Sequence, residues 1–257
     1  MKQFAIVARP DEASGAIQKL IKEKLQAVGY QENEQEPDVV FVVGGDGTFI
    51  YAVHQYLDQL ARVQFYGIHT GTFGFFTDYH DANVNAFMDA YLQDKLHEVR
   101  YPLLCAHVNE KSYYAINEVR IENASRTQVM DVYLNDQLFE TYRGSGMLVC
   151  TQLGSTAYNR SLGGAIIQDG LEAIEMTEIA GIHHNKYRSL GSSIVLKKDT
   201  TIQFDSENYQ GALLGVDAKV YPIEKATKVI IEVARNQHVR MLKGNSISYF
   251  ERLHSLF

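Results

Sequence analysis

The residues best suited to chemistry in this 257-residue chain are Gly44-Gly45-Asp46-Gly47-Thr48, set between an apolar run and an amphipathic stretch. Glycines let the backbone turn freely and let a ligand approach with no Cβ in the way. The first N–H groups of a following helix point at whatever sits there, so such a loop suits phosphate. It falls at the carboxyl end of a strand, where open α/β sheets bind their ligands. An acidic side chain in a phosphate loop repels phosphate unless it takes a proton or sits beside a cation. Asp46 therefore reads as a general base or a Mg²⁺-side carboxylate. A plain strand-to-helix turn capped by Asp46 or Thr48 would explain Thr48 but would not need three glycines. Other phosphate motifs fail: no Gly-Lys dipeptide exists for a Walker A loop, and Ile50 stands where a dinucleotide-binding pattern would place its third glycine.

A second cluster runs Gly154-Ser155-Thr156-Ala157-Tyr158 and on to Ser161 and Gly163-Gly164. Small hydroxyl residues between glycines can bond an adenine or ribose edge, and Tyr158 can supply an apolar wall; a polar loop between strands is the equal alternative. A serine hydrolase is excluded, because Gly-x-Ser-x-Gly occurs nowhere. Asn117-Glu118 interrupts a strand-like run, either as an exposed edge or as a pair aimed at a polar ligand. Cys105 and Cys150 are isolated in apolar surroundings and read as reduced core thiols. The adjacent His183 and His184 point apart on regular backbone, and no zinc spacing is present, so no protein metal site is expected. Phe73-Gly74-Phe75-Phe76 reads as core, with Gly71 and Gly74 leaving Phe75 room to touch a ligand.

The elements that must position these residues change character along the chain. Phe4–Arg9 reads as a strand rather than a signal peptide, its apolar stretch being too short. Ser14 is the expected cap of a helix with Ile17, Leu20, Ile21, Leu25 and Val28 inward and Gly29 as its stop. Asp38–Val43 is the near-continuous apolar run of a parallel strand covered on both faces. A helix with Phe49, Ile50, Val53, Tyr56, Leu57 and Leu60 inward follows, then a strand at Phe65–Ile68 and a helix near Ala82–Gln93. From about Leu96 the pattern turns to short alternating segments: Val99–Val108, Tyr113–Ile121, Gln128–Leu134, Gln137–Tyr142, Met147–Thr151, Ser193–Leu196, Thr201–Phe204 and Val229–Val233. Turns at Asn109-Glu110-Lys111 and Asn135-Asp136 separate some of them, as in an antiparallel sandwich. Gly164–Ile182, whose apolar residues do not alternate cleanly, admits a helix.

The expected fold is an α/β domain with a Rossmann-like parallel sheet at residues 1–97 and an all-β sandwich at 98–240, with 241–257 free to dock back on the first. Composition sets the outer limits. With 24 Lys+Arg against 31 Asp+Glu the net charge is −7, so a polyanion-coating role is unexpected, and neither nucleic acid nor membrane is an expected partner. No run approaches the ~18 apolar residues of a membrane span, and with the cysteine usage this points to a cytoplasmic protein.

Taken together, Gly44–Thr48, Gly71-Thr72-Phe73-Gly74-Phe75 before Thr77, Asn117-Glu118, Gly154–Tyr158 with Ser161 and Gly163-Gly164, and Gly215-Val216-Asp217 resemble, in order, the NAD kinases in their compact bacterial form. The resemblance implies transfer of phosphate from ATP or polyphosphate to the adenosine 2′-hydroxyl of NAD, giving NADP, with Mg²⁺ or another divalent cation carried with the donor. It implies an active site between an N-terminal α/β domain and a C-terminal sandwich, in a homotetramer or homodimer. Carried onto this chain, Asp46 is the base, with Gly45 and Gly47 in the binding loop. Asn117 and Glu118 hold ribose hydroxyls, Thr156, Ala157, Tyr158 and Ser161 surround adenine, and Phe75 packs on the adenosine. Arg143, Ala180 and Ile182 complete the dinucleotide site, a neighbouring subunit being one source. The family commonly has an acidic residue where Ser145 stands and Pro-Thr where Gln152-Leu153 stand, which implies altered affinity for NAD at the Ser145 contact. Lipid kinases and phosphofructokinases resemble the GGDGT loop alone, so a lipid or small-molecule kinase stays open. A catalytically weak NAD/NADP-binding sensor does too.

Overall fold

In the computed structural model, which describes residues 2–71, 74–183, 188–244 and 247–256, the first apolar run forms strand β1 (Gln3–Ala8) and leads into helix α1 (Glu12–Ala27). The cap of α1 is Asp11 rather than Ser14. The Asp11 carboxylate accepts the Ser14 N–H and hydroxyl, each at 3.0 Å, because β1 stops at Ala8 and the helix starts one turn earlier than expected. Ser14 is buried and its hydroxyl lies 2.9 Å from that of Thr70. Gly29 ends the helix at φ 86, a conformation costly for other residues.

Strands β2 (Gln31–Glu32) and β3 (Val39–Val43), helix α2 (Asp46–Gln55), strands β4 (Gln64–His69) and β5 (Tyr79–His80) and helix α3 (Val84–Leu92) complete the N-terminal series. The strand order β2-β1-β3-β4 is parallel throughout, and β5 pairs parallel with β4. All five residues of β3 are buried, as a strand covered on both faces requires. Val39, Phe41 and Val43 join Ile17, Ile21 and Leu25 of α1 and Phe87 and Met88 of α3 in one cluster. On the opposite face Phe65 of β4 meets Phe49 of α2, the ring centroids 5.8 Å apart. Helix α2 ends sooner than its apolar spacing implies. Tyr56 and Leu60 are buried but flank a single 3₁₀ turn at Leu57–Gln59.

Strand β6 (His97–Val108) carries the chain into a second unit. β7 (Lys111–Ala115), β8 (Glu118–Glu122), β9 (Gln128–Leu134), β10 (Gln137–Gly144) and β11 (Gly146–Thr151) follow. After the short helix α4 (Tyr158–Ser161) come β12 (Ala173–Ile179), β13 (Ile194–Lys197), β14 (Ile202–Asp205), β15 (Leu213–Val216), β16 (Lys219–Pro222) and β17 (Lys228–Lys243). The expected turns hold: Asn109, Asn135 and Asp136 all have positive φ. Two expectations do not. The run Tyr113–Ile121 is broken into β7 and β8 at Ile116-Asn117, and Gly164–Ile182 contains strand β12, not a helix. Strand β12 lies between β11 and β13, with both faces largely covered, so its apolar residues have no reason to alternate.

One antiparallel sheet of this unit runs β13-β12-β11-β8-β15-β16. A second layer comprises β10-β9-β14 with the start of β17, and β6 forms a hairpin with β7. Residues from both layers, among them Val119, Ile121, Val149, Met176, Val132, Phe204 and Ile231, share one core, which makes a two-layer β unit. The compact units are Met1–Tyr101 with Gln237–Phe257, and Pro102–Asn236. Strand β17 serves both: Lys228–Ile231 pairs antiparallel with β14, and Arg240–Met241 pairs parallel with β4. Helix α5 (Tyr249–His254), started by a Ser248/Glu251 capping box, lies in the first unit.

Candidate functional site

In the first unit the sequence places Asp46 at the start of α2, and the fold aims its carboxylate at backbone. Oδ2 accepts the Phe75 N–H at 3.0 Å and Oδ1 the Phe76 N–H at 3.1 Å. Gly74 makes this possible, since a Cβ there would overlap the Asp46 carboxylate. Gly44 is likewise steric, because its Cβ would meet the Thr48 side chain. Gly45 and Gly47 are different: a Cβ at either would meet nothing within 4 Å among the described residues. Among the described residues no side chain caps α2, whose N-cap is Gly45 rather than Asp46 or Thr48. The geometry of the loop thus leaves the helix N-terminus open to an anion, with room along two glycines. Burial raises the Asp46 carboxyl above its usual 3.8, opposed by the Phe75 and Phe76 N–H groups, Arg252 and His69. His69 is itself buried, which lowers its imidazole below 6.5, and its Nδ1 lies 3.1 Å from the Gly71 carbonyl. Phe75 is buried with its ring edge-on to Tyr249, 6.4 Å between centroids. Thr72 and Phe73 lie outside the described residues.

In the second unit Asn117 and Glu118 sit where the expected strand breaks, and they are 8% and 6% exposed, which removes the exposed-edge reading. The break is held by Asp217. Its Oδ2 accepts the Ile116 N–H at 3.0 Å, and Oδ1 accepts those of Asn117 and Glu118 at 2.8 and 3.2 Å. Glu118 opens β8 opposite Cys150, and its Oε1 accepts from Arg120 Nη1 at 3.5 Å. Asn117 Oδ1 and Glu118 Oε2 are buried and find no donor among the described residues. Buried acceptors left bare cost free energy unless a ligand supplies the donors. Burial, then the nearby Asp217 carboxylate, pushes the Glu118 carboxyl up to about 7. Near neutrality it both donates and accepts hydrogen bonds, as a hydroxyl partner should.

The Gly154–Tyr158 cluster is brought against the same break. Gly154 packs so closely on the Asn117 carbonyl that a Cβ would collide with it. Thr151 donates its N–H to Asn117 O at 2.9 Å and its hydroxyl to Ile116 O at 2.6 Å. Ser155 and Thr156 spend their hydroxyls on the Gln152 and Leu153 carbonyls, at 2.7 and 3.1 Å. Ala157 follows with φ −93 and ψ −127, neither helical nor extended. The Tyr158 ring lies under Arg120, 5.7 Å to the centroid, and its hydroxyl reaches Glu122 at 3.1 Å. Ser161 ends α4 with its side chain exposed. Gly164 is needed because a Cβ would overlap the Asn159 side chain, which donates to the buried Glu175 at 2.8 Å.

Arg143, Ser145, Ala180 and Ile182 gather where β10 and β12 end. Ile182 N–H donates to Arg143 O at 2.7 Å and Ser145 N–H to Ile179 O at 3.0 Å. Ala180 adopts φ 49, and Ile182 is 47% exposed. At the departures from the family pattern, Gln152 donates to Asp169 at 2.6 Å and Leu153 is buried. Both cysteines are free and buried, as expected for core thiols. His183 is exposed with its Nδ1 3.4 Å from Ser189 Oγ, and His184 lies outside the described residues.

Sequence reasoning missed three structural parts of these sites: the backbone N–H pair of Phe75 and Phe76, the clamp made by Asp217, and Asn159–Glu175 beneath Gly164. Only the motif neighbour Gly215-Val216 flagged Asp217, and nothing local flags a partner about a hundred residues away.

Comparison with known proteins bears on the whole chain. Residues 116–243 match the family model described as the ATP-NAD kinase C-terminal domain. NAD kinase 1 of Bacillus cereus is 36% identical over 99% of this chain and 98% of its own length. The NAD kinase of Streptococcus gordonii is 34% identical over 100% and 95%. Among solved structures, yeast NADH kinase complexed with NADH superposes with a TM-score of 0.84 at 16% identity, covering 100% of this chain and 87% of the other. An NAD kinase from Archaeoglobus fulgidus in complex with ATP gives 0.78 at 21% identity, covering 98% and 99%.

Proposed function

The chain belongs to the NAD kinase family, and from that premise we propose that it transfers a phosphoryl group from ATP or polyphosphate to the adenosine 2′-hydroxyl of NAD, giving NADP. The observation that carries this reading is the pair of bare buried acceptors, Asn117 Oδ1 and Glu118 Oε2, beside a hydroxyl-rich loop. Adjacent acceptors of this kind suit the two hydroxyls of a ribose. Phe75, Thr156, Ala157, Tyr158, Ser161, Arg143, Ser145, Ala180 and Ile182 are assigned to the rest of the dinucleotide, and Gly45 and Gly47 to the phosphate side. The parallel first unit serves as a Rossmann-like support for the glycine loop.

A ribose hydroxyl is a poor nucleophile near neutral pH, and Asp46 accepts its proton as the bond to phosphorus forms. Burial makes that carboxylate a stronger base than an exposed one, while the two N–H donors keep it oriented and ionised. Each of its oxygens takes one N–H and keeps a lone pair. That suits a Mg²⁺ held mainly by donor phosphates and water, which needs only one or two protein carboxylates. Asp46 is the residue that would stand beside such a cation, whose chemistry is to neutralise the donor phosphates. The remaining acceleration is alignment, the task of Asn117 and Glu118.

Free buried thiols fit a reducing, cytoplasmic setting, and no helix among the described residues is long and apolar enough to cross a membrane. A homotetramer or homodimer completes the proposal. The test is NADP formation by purified protein with NAD, Mg²⁺ and either donor, beside Asp46→Asn. Wild-type turnover with an inactive variant that still binds NAD is expected. An active Asp46→Asn enzyme would remove the base assignment, and saturable NAD binding with no NADP from either donor would turn the reading to a sensor.

A further inference from the structure

Helix α5 docks in an unusual way. Of its described residues it buries an arginine, Arg252 at 4% exposure, while Phe250 on the same short helix is 66% exposed. The Tyr249 ring meets Phe75 edge-on, but apolar burial alone does not account for the docking. Arg252 reaches the segment that holds Asp46: Nη1 donates to the Thr77 carbonyl at 2.5 Å and lies 3.5 Å from that of Phe75, and Nη2 pairs with Asp78. Asp78, 4% exposed in its side chain, also accepts the Gly244 N–H at 2.9 Å, and its own N–H bonds the Gly67 carbonyl at 3.2 Å. The segment Phe75–Asp78 is thus gripped on its carbonyl side by Arg252, and on its N–H side it grips Asp46.

We propose that Arg252 is a positioning residue for Asp46, fixing the strip of backbone whose two N–H groups orient the carboxylate. This rests on the reading of Asp46 as the base. A buried ion pair is seldom worth more to stability than apolar packing of the same volume, so stability alone gives weak reason to place a guanidinium here. Its planar fork spans two carbonyls and a carboxylate at once, which neither lysine nor an apolar side chain does. Among the described residues the titratable and charged groups around Asp46 are His69, with His80 behind it at 4.7 Å between ring centroids, and Arg252, backed by Asp78. Loss of the Arg252 charge from this set makes ionised Asp46 less favourable, while loss of the fork lets the strip move.

The experiment measures kcat, KM for NAD, the pH dependence of kcat/KM and thermal stability for Arg252→Ala, Arg252→Lys and Asp78→Asn, with Asp46→Asn alongside. For Arg252→Ala, kcat falls about 100-fold, the scale of a roughly 1 Å misplacement, with KM for NAD within about twofold. Its acid limb moves to higher pH. Arg252→Lys keeps the charge, so its limb stays near that of the wild type while kcat recovers only in part; Asp78→Asn lowers kcat to a similar intermediate level. A folded Arg252→Ala enzyme with wild-type kcat and acid limb overturns the proposal. If that variant does not fold, wild-type kcat in both Arg252→Lys and Asp78→Asn overturns it instead. Full turnover by Asp46→Asn sinks the base reading, whereas an inactive Asp46→Asn beside unimpaired Arg252 and Asp78 variants sinks this inference alone.

Discussion

Replacing Gly74 by alanine separates steric glycines from those proposed to bind the phosphate side. An alanine Cβ at Gly74 would occupy the space of the Asp46 carboxylate, closer than real Cβ contacts come. Asp46 must turn away and lose the Phe75 and Phe76 N–H bonds, now 3.0 and 3.1 Å. Hydrogen bonds to a charged group contribute about 1.5–3 kcal/mol each, so a loss of about 3–6 kcal/mol in stability is expected from the two. Displacing Asp46, the proposed base, by about an ångström is expected to cost about 100-fold in kcat. The contrast is Gly45→Ala, where the added methyl meets nothing within 4 Å among the described residues. Its stability changes by less than about 0.5 kcal/mol, while KM for the phosphate donor rises because the methyl occupies the approach to the helix N-terminus. Urea unfolding and steady-state kinetics on both variants check this. Wild-type kcat in Gly74→Ala, or a Gly45→Ala protein that loses stability without any change toward the donor, would refute the reasoning.

Glu118 makes stability depend on pH. Its folded pKa of about 7 lies above the ordinary 4.5, so the native state holds the proton more tightly, and unliganded stability falls as pH rises from about 4.5 to about 7. The full shift corresponds to about 3 kcal/mol, and Glu118→Gln flattens that slope in urea titrations across the same range. Asp217→Ala strands three buried N–H groups. A loss of about 3 kcal/mol and roughly 6–12 °C in melting temperature is expected, with a raised KM for NAD. An unchanged melting curve would count against the clamp.

Short-range patterns were sound guides where the determinant is local. The apolar run at Val39–Val43 could only be a strand covered on both faces, and it is. Asn109, Asn135 and Asp136 marked turns because their side chains tolerate positive φ. Ser14 misled because the helix starts three residues earlier, where Asp11 takes the cap and Ser14 supplies the N–H it accepts. Gly164–Ile182 misled because a strand with both faces covered loses the alternation by which strands are recognised.

By itself the sequence determined the glycine loop around Asp46, the pairing of Asn117 with Glu118, the change from parallel to antiparallel architecture and, through the order of its motifs, the family. Each of these is written in neighbouring residues. The tertiary structure decided what those residues touch. Asp46 is held by Phe75 and Phe76, 29 and 30 residues away, Asn117 by Asp217, 100 away, and Asp78 by Arg252, 174 away. No periodicity or spacing encodes such partners. A buried carboxylate or guanidinium is tolerated only where the folded chain supplies the donors and acceptors that water gave it in the unfolded one, and that supply exists only once the strands have paired.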